Sequence, residues 1–339
     1  MSKSMTVFGT VTIAALLLAG CGNGGGASSN SVSSNSSGNA TAPAKSNGQY
    51  TIGFIPGITT DAFYISMLKG AKAEATKLGV TLDIQGAAQW NYTLQTPIVQ
   101  SMISKKVNLL IIAPNDANAM YSPLDQAVQA NIPVITVDTT INNASILTSK
   151  ITSNNQQGGT VAADTLAKMI GDAGDVAVIN TVPGVSTTDA RQSAFINEMK
   201  KYPNIHVVAT EYTNDQQNAA AVDIENILLS HPHLKGVFAT NVVNAAGVAS
   251  GLQAKNAQSK VKLIAYDAEP EEVTDLKNGS IQALVVQKPY LEGQMAVDYA
   301  YDYLTGKKSE IQKSVVLSNV IATPQNVNVP NVSKWFYTN

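Results

Sequence analysis

The sequence predicts an α/β fold of two similar Rossmann-like lobes, each built around a parallel sheet. Three observations support this fold class: β-type and α-type patterns alternate from Thr51 onward, several strand patterns are apolar throughout, and the alternating series occurs twice. Continuous apolar strands are typical of parallel sheets that helices cover on both faces. With 339 residues, the chain is long enough for about two domains.

The first element is a short apolar strand at residues 51–55, which ends at Pro56 and Gly57. Proline lacks the N–H that a sheet ladder needs, and glycine permits unusual dihedral angles. A polar loop with Phe63 and Tyr64 follows, and then an amphipathic helix. This order places the loop at the carboxyl end of a parallel sheet, where open α/β folds bind ligands.

The remaining elements follow from the same alternation of patterns. The first series has strands at residues 80–84, 109–113 and 134–137, and helices at 62–78, 94–104 and 122–130. The second series has strands at residues 176–179, 205–209, 237–239, 263–266 and 281–286, and helices at 157–169, 190–201, 219–229, 245–255 and 271–277. The last predicted elements are a helix at residues 291–304 and a strand near 315–321.

The N-terminal residues have the pattern of a targeting segment. Lys3 supplies a positive charge, residues 7–17 are apolar, and LAGC at residues 18–21 places small residues before a cysteine. This tetrapeptide resembles the lipobox of bacterial lipoproteins. We therefore predict a lipoprotein signal peptide at residues 1–20 and lipidation of Cys21. The alternative is a secretory signal that happens to contain a cysteine.

A polar stretch separates this segment from the predicted fold. Residues 22–49 are rich in Gly, Ser and Asn and contain almost no apolar side chains. Such a stretch cannot bury a core, so we expect a disordered tether with a root-mean-square reach of about 30 Å. Cys21 is the only cysteine in the chain, so no internal disulfide can form.

Composition and motifs argue against several classes of function. Charged residues make up 14% of the chain and its net charge is −2, so nothing favours a nucleic-acid partner. The sequence has no Gly-rich phosphate loop and no GxSxG nucleophile elbow. His206, His231 and His233 have no acidic or cysteine partner at helical spacing. We therefore expect a protein that is not an enzyme and that holds no metal or cofactor.

Polar and aromatic side chains stand where the predicted strands end. The candidate ligand-binding residues are Asp61, Phe63, Tyr64, Trp90, Asp138, Arg191, Asn241, Asp267 and Gln287. Similar positions are occupied by Gln89, Asn91, Asn115, Asp116 and Asp189. Because the carboxyl ends of parallel strands meet at one edge, the candidates are expected to converge on a cleft between the lobes.

The residue types at these positions fit a sugar. Carboxylates accept hydrogen bonds from neighbouring hydroxyls, arginine and asparagine donate them, and aromatic rings pack on the C–H faces of a sugar. Each residue alone also has an ordinary explanation, since an aspartate after a strand is often a helix N-cap and a Phe–Tyr pair is often core. The prediction of a sugar site therefore depends on all of these residues occurring together at the strand ends.

At these residues the chain resembles a type I periplasmic binding protein of the ribose/galactose class, the substrate-binding component of sugar ABC importers. The resemblance runs over residues 50–327. TIGFIPGITTDAFY is similar to the family's first strand and its asparagine-aromatic-aromatic loop, and ITSNNQQGG is similar to its first crossing between lobes. ANIPVITVD, STTDARQSAF, GVFATN, LIAYD and ALVVQKP place Asp138, Arg191, Asn241, Asp267 and Gln287 at the family's ligand positions.

The resemblance implies two lobes that are joined by three hinge strands and close on a ligand. By this likeness the N-terminal lobe holds residues 50–153 and 289–316, and the C-terminal lobe holds residues 154–288 and 317–339. The resemblance also implies a monosaccharide ligand, an ABC permease as partner, and a lipid-anchored location on the outer face of the cell membrane or in the periplasm. Nothing in the sequence suggests an obligate dimer, so a monomer is expected.

Two positions depart from the ribose-binding members of the family. Thr139 stands where they carry arginine, and Asp61 stands where they carry asparagine. The predicted site therefore has fewer cationic donors and one more acceptor than theirs, and Trp90 adds a further stacking wall. These differences leave both pentoses and hexoses as candidate ligands.

Three other functions are alternatives to sugar import. A sensor of the same fold, which presents a bound molecule to a membrane receptor, stays open. A DNA-binding repressor is disfavoured by the export signal. A sugar hydrolase with Asp138 and Asp267 as its acid/base pair is disfavoured because hydroxyl binding explains both aspartates better.

Overall fold

The computed structural model describes residues 50–337. The predicted signal peptide, the predicted lipidation site at Cys21 and the predicted tether lie outside the described residues. In the part of the chain that is described, no helix combines the length and the apolar character needed to span a bilayer.

The first sheet has six strands. They are β1 (Thr51–Ile55), β2 (Thr81–Ile84), β3 (Leu109–Ile112), β4 (Val134–Val137), β5 (Ser149–Ser153) and β11 (Ser314–Leu317). Their order across the sheet is β2–β1–β3–β4–β5–β11, and all neighbouring strands are parallel. Every residue of β3 and β4 is buried, as expected for strands that helices cover on both faces.

The second sheet repeats this arrangement. Its strands are β6 (Ala173–Asn180), β7 (Asn204–Tyr212), β8 (Leu234–Ala239), β9 (Lys262–Tyr266), β10 (Ala283–Val286) and β12 (Val320–Ala322). Their order is β7–β6–β8–β9–β10–β12, and only β12 is antiparallel to its neighbour. The first five strands of each sheet thus follow the same order, which confirms the predicted α/β fold of two similar halves.

Helices connect the strands and pack on the sheets. They are α1 (Ala62–Leu78), α2 (Tyr92–Ser104), α3 (Tyr121–Gln129), α4 (Asn155–Met169), α5 (Ser186–Met199), α6 (Gln217–Ser230), α7 (Val242–Ala254), α8 (Pro270–Asn278), α9 (Pro289–Leu304) and α10 (Pro330–Ser333). Local sequence sets their ends. Asp61 caps α1 by accepting a 2.7 Å hydrogen bond from the Phe63 N–H, and Gly79 ends α1 with a left-handed φ of 69°.

The chain passes between the two sheets at three places: after β5, after β10 and after β11. Helix α9 follows a strand of the second sheet, but it packs on α1 and against β3, β4 and β5 of the first sheet. Helix α4 follows a strand of the first sheet and packs on α5 and β9 of the second half. Each half therefore contains segments that are distant in sequence.

The strand predicted near residues 315–321 is in fact two strands. β11 ends at Leu317 in the first sheet and β12 begins at Val320 in the second. Between them, Asn319 donates to the Asn154 carbonyl at 2.8 Å and to the Tyr266 hydroxyl at 2.9 Å. Two residues connect the strands, so the chain passes directly from the first sheet into the second, where β12 pairs antiparallel with β10. Because the residues on both sides of this short polar break are apolar, the sequence pattern predicted one continuous strand.

Candidate ligand-binding site

A cavity lies where the strand ends of the two sheets face each other, and the empty space within its lining, part of it open to solvent, is about 450 Å³. Its lining includes all the predicted ligand residues: Asp61, Phe63, Tyr64, Trp90, Asp138, Arg191, Asn241, Asp267 and Gln287. The lining also includes residues that were not predicted: Thr181, Val185, Thr187, Thr188 and Asp215. The fold thus brings residues of both halves together around one space.

The unpredicted lining residues obey the same strand-end rule as the others. Asp215 follows β7, which continues to Tyr212, whereas the predicted strand stopped at residue 209. Thr187 and Thr188 lie in the first turn of α5, whose predicted start at residue 190 was too late. Accurate element boundaries, which sequence patterns define poorly, would have placed these residues at the site.

Several other strand-end residues serve local turns and do not line the cavity. The Asn91 side chain accepts from the Thr93 N–H at 2.8 Å and caps α2. Asp116 accepts from the N–H groups of Asn118 and Ala119 at 2.8 and 2.7 Å. Asp189 accepts from the Gly184 N–H at 2.8 Å. For these residues the N-cap or turn role explains the side chain. Gln89 and Asn115, which occupy similar positions, are also absent from the lining.

Asp138 is held at the end of β4 by its backbone and its side chain. Its N–H donates to the Ile151 carbonyl at 2.9 Å, and its φ of 56° lies in the left-handed region. The carboxylate accepts a 2.5 Å hydrogen bond from the Tyr64 hydroxyl. Burial raises the pKa of Asp138 to about 6, although the Arg191 charge and the Tyr64 hydrogen bond act in the opposite direction. Asp138 is therefore mostly an ionised acceptor at neutral pH.

Asp267 occupies the matching position at the end of β9. Its N–H donates to the Val285 carbonyl at 2.9 Å, and its φ is 96°. Its Oδ1 accepts from the Gln287 Nε2 at 2.6 Å and from the Tyr337 hydroxyl at 2.9 Å. Left-handed backbone is uncommon for residues other than glycine, and such positions cluster at functional sites.

Arg191 is a buried cation with several protein partners. Its side chain donates from Nε to Asn155 Oδ1 and from Nη1 to the Thr240 carbonyl, both at 2.8 Å. Its guanidinium carbon lies 3.6 Å from the centre of the Tyr266 ring. Burial alone lowers the pKa of Arg191, but Tyr266, Asp267 and Asp138 more than offset this effect and raise the pKa. Arg191 therefore supports the fold as well as the cavity.

A glycine in α4 permits this position of Arg191. A Cβ atom on Gly159 would lie 2.2 Å from the Arg191 carbonyl oxygen, which no side chain tolerates. Helices α4 and α5 therefore approach closely at this point, and the approach fixes the helix turn that carries the guanidinium.

Part of the cavity lining is acidic. Asp61 caps α1, and Glu269 Oε1 lies next to it and accepts from the Ala62 N–H at 3.1 Å. Asp215 accepts from the Asn241 side chain at 2.8 Å. Burial raises the pKa of Asp61 well above its ordinary value, with further contributions from Asp267 and Glu269, and burial also raises the pKa of Asp215. The lining as a whole has four aspartates and one arginine.

An aromatic wall closes one side of the cavity. The ring centres of Tyr64 and Trp90 are 6.3 Å apart, and the Phe63 ring meets Tyr64 edge-on at 5.1 Å. The Trp90 Nε1 donates to the Asn115 carbonyl at 3.0 Å, which fixes the indole. A Cβ on Gly57 would lie 2.5 Å from atoms of both Tyr64 and Trp90, so the loop after β1 needs glycine for this wall to form.

Hydrogen bonds between loops of the two halves lie beside the cavity. The Ala117 N–H donates to the Gly184 carbonyl at 3.1 Å, and the Thr140 N–H donates to the Ser186 hydroxyl at 3.0 Å. We call these two bonds the rim bonds. Val185, which lies between their two acceptor residues, lines the cavity. The rim bonds therefore join the halves at the edge of the candidate site.

Fold and cavity together define an α/β protein with a cavity between two mainly parallel sheets. The family model of the periplasmic binding protein domain matches residues 52–308, so the chain belongs to this family. This match confirms the family resemblance that the sequence motifs indicated.

Individual relatives agree with this assignment. The chain is 31% identical over 268 residues to the ribose import binding protein of Bacillus subtilis (strain 168), with 79% of this chain and 85% of the relative covered. It superimposes with a TM-score of 0.84 and 38% identity on an ABC transporter solute binding protein from Agrobacterium vitis bound with α-D-tagatopyranose. That match covers 86% of this chain and 100% of the other.

A second solved structure is similar over the same length. It is a carbohydrate transporter solute binding protein from Agrobacterium radiobacter in complex with D-arabinose, with a TM-score of 0.82 and 29% identity. The match again covers 86% of this chain and 100% of the other.

Proposed function

We propose that this chain captures a monosaccharide, a pentose or a hexose, in the cavity between the two halves and delivers it to an ABC permease. One observation carries the proposal: buried acceptors, a buried guanidinium and an aromatic wall line the same space. A sugar ring offers hydroxyls to the first two and C–H faces to the third. The relatives support it, since one is named as a ribose import binding protein and two are transporter solute binding proteins with bound tagatose or arabinose.

The charge of the lining narrows the class of sugar. The lining contains four aspartates and one arginine. An anionic ligand is repelled by the ionised carboxylates of this lining, Asp138 among them, and the low local dielectric strengthens the repulsion. We therefore propose a neutral, hydroxyl-rich sugar as ligand and expect sugar acids and sugar phosphates to be excluded.

We propose that the two halves act as lobes that close on the sugar. The N-terminal lobe comprises residues 50–153 and 289–316, and the C-terminal lobe comprises residues 154–288 and 317–339. Three crossings of the chain between the sheets provide a hinge region. A sugar shifts the balance towards the closed arrangement only by binding it more tightly than the open one.

We further propose that the protein acts outside the cytoplasm as a lipid-anchored monomer. The proposal rests on the lipobox-like residues 18–21 and on the polar tether at residues 22–49. A sugar-binding body on a tether of about 30 Å stays close to a permease in the same membrane. The named relatives are binding proteins of importers, and we propose that this chain likewise performs no chemistry on its ligand.

A thermal-shift panel tests the proposal on the chain from Tyr50 onward. The panel contains pentoses, hexoses, deoxysugars, polyols and nucleosides, with sugar acids and sugar phosphates as anionic counterparts. A ligand at a hundred times its dissociation constant stabilises the protein by about 2.7 kcal/mol, which gives a clear shift. We expect a shift with one stereochemical class of neutral sugar. A panel without any shift, or a shift with the anionic sugars alone, contradicts the proposal.

Two controls make the panel specific. Asp138→Asn should remove most of the shift, whereas Asp164→Asn should preserve it, because Asp164 accepts from Tyr202 outside the cavity. Recovery of the sugar unchanged after incubation separates binding from hydrolysis. Uptake of the same labelled sugar by cells with and without the chain then separates import from sensing.

A further inference from the structure

The C-terminal segment after β12 reaches the candidate binding site. The family model ends at residue 308, so this segment lies beyond the matched region. It begins with a turn in which the Thr323 N–H donates to the Asn326 side chain at 2.7 Å, and it continues through α10. Val327, Val332 and Tyr337 are buried against the hydrophobic core. The segment is therefore packed on the fold over its described length.

Tyr337 connects this segment to two residues that line the cavity. Its hydroxyl donates to Asp267 Oδ1 at 2.9 Å, and its N–H donates to the Ala268 carbonyl at 3.0 Å. Its ring meets Phe63 edge-on, with ring centres 5.8 Å apart. Asp267 belongs to the second half and Phe63 to helix α1 of the first, so one side chain contacts ligand residues from both halves.

We propose that Tyr337 is a positioning residue of the binding site, which orients the Asp267 carboxylate for the ligand and supports the Phe63 ring. This inference rests on the proposed function. Tyr337 and Gln287 both donate to Oδ1 of Asp267, and this double donation fixes the plane of the carboxylate. Oδ2 is then the oxygen that accepts from a sugar hydroxyl.

The backbone of Asp267 makes this support necessary. With a φ of 96°, the residue occupies a conformation that few side chains adopt, and the surrounding contacts must maintain it. The Tyr337 N–H bonds to the carbonyl of the next residue, Ala268, so the segment holds main chain and side chain together. Lys288 and Lys334 lie 4.8 and 5.0 Å from the centre of the Trp335 ring and secure the segment two residues before Tyr337.

The test is calorimetric titration of the full chain in detergent with the sugar that gives the largest shift in the panel. Tyr337→Phe removes only the hydroxyl and keeps the ring contact with Phe63. We expect its dissociation constant to rise about tenfold, because a donor to a charged acceptor is lost. Tyr202→Phe is the matched control, since it removes a 2.8 Å hydrogen bond to Asp164 away from the cavity. It should bind within about twofold of the unmodified chain.

A double-mutant cycle separates positioning from a general structural role. If Tyr337 acts through Asp267, the double variant Tyr337→Phe/Asp267→Asn should bind no more weakly than Asp267→Asn alone. The stoichiometry of each titration gives the competent fraction, so that a partly unfolded variant is still compared by its dissociation constant.

The outcomes are distinct. An unchanged dissociation constant in Tyr337→Phe overturns the inference, and so do losses that simply add in the double variant. If the unmodified chain binds no sugar, the proposed function fails and the inference falls with it.

Discussion

Two aspartates, Asp138 and Asp267, occupy equivalent places in the two halves of the molecule. Each directly follows a buried strand, adopts a left-handed φ, and donates its N–H to a carbonyl of the neighbouring strand at 2.9 Å. Each carboxylate accepts from a tyrosine hydroxyl, from Tyr64 in one case and from Tyr337 in the other. The repeated fold thus produces the same acceptor twice.

The two aspartates differ in where their supporting donors originate. Tyr64 lies in α1, in the same half as Asp138, and is part of the aromatic wall. Asp267 depends on Gln287 at the next strand end and on Tyr337, which lies outside the region matched by the family model. The repeated sheet thus provides the position of both carboxylates, whereas one of the two donors that orient Asp267 comes from a C-terminal segment outside the repeat.

The largest expected effects come from the aspartates themselves. Asp138→Asn and Asp267→Asn should each raise the dissociation constant for the sugar by about 100-fold, because a charge-assisted acceptor becomes a neutral amide. Calorimetry on both variants checks this. If one variant loses far less affinity than the other, the two aspartates are equivalent in geometry but contribute unequally to sugar binding.

A smaller effect, which distinguishes the two aspartates, is expected from pH. Below its raised pKa of about 6, Asp138 takes up a proton and loses its ionised acceptor. If only the ionised form binds the sugar, affinity falls as pH drops through 6, and at pH 5 the dissociation constant should be about tenfold higher than at pH 7.5. Asp267→Asn should keep this dependence on pH, and Asp138→Asn should lose most of it. A pH profile that is the same in both variants contradicts the assignment.

The smallest effect is expected at the aromatic wall. Trp90→Ala should raise the dissociation constant about fivefold, because one ring face is lost while the hydrogen-bonding groups stay. Tyr92→Ala is a suitable control, since Tyr92 is exposed and does not line the cavity. Preserved affinity in Trp90→Ala assigns Trp90 a structural role and leaves recognition to the two aspartates and Arg191.

Much of the fold and of the candidate site could be predicted from local sequence. The apolar strands and the polar residues after them specify both sheets and the strand-end edge, and so Asp138 and Asp267 were found. Asp215 was missed because β7 is longer than its apolar pattern. The break at Asn319 was missed because its hydrogen bonds to Asn154 and Tyr266 are long-range. No local pattern marks the contact between Tyr337 and Asp267, which are 70 residues apart.

Arg191 shows a different limit of sequence patterns. The family motif indicates a ligand donor at this position, but it does not indicate how much of the guanidinium is already bound by the protein. With Asn155, Thr240 and Tyr266 as partners, Arg191→Ala leaves buried polar groups unpaired. This variant should therefore lose thermal stability together with affinity, so the aspartate variants are the cleaner test of the site.

The rim bonds have a consequence for the speed of exchange. They join Ala117 to Gly184 and Thr140 to Ser186 beside the cavity, so under the proposed closing of the halves on a sugar they must break each time the halves open. Opening of the halves then sets an upper limit on the dissociation rate. Ligands that differ widely in affinity would show similar residence times once their own contacts break faster than the rim opens.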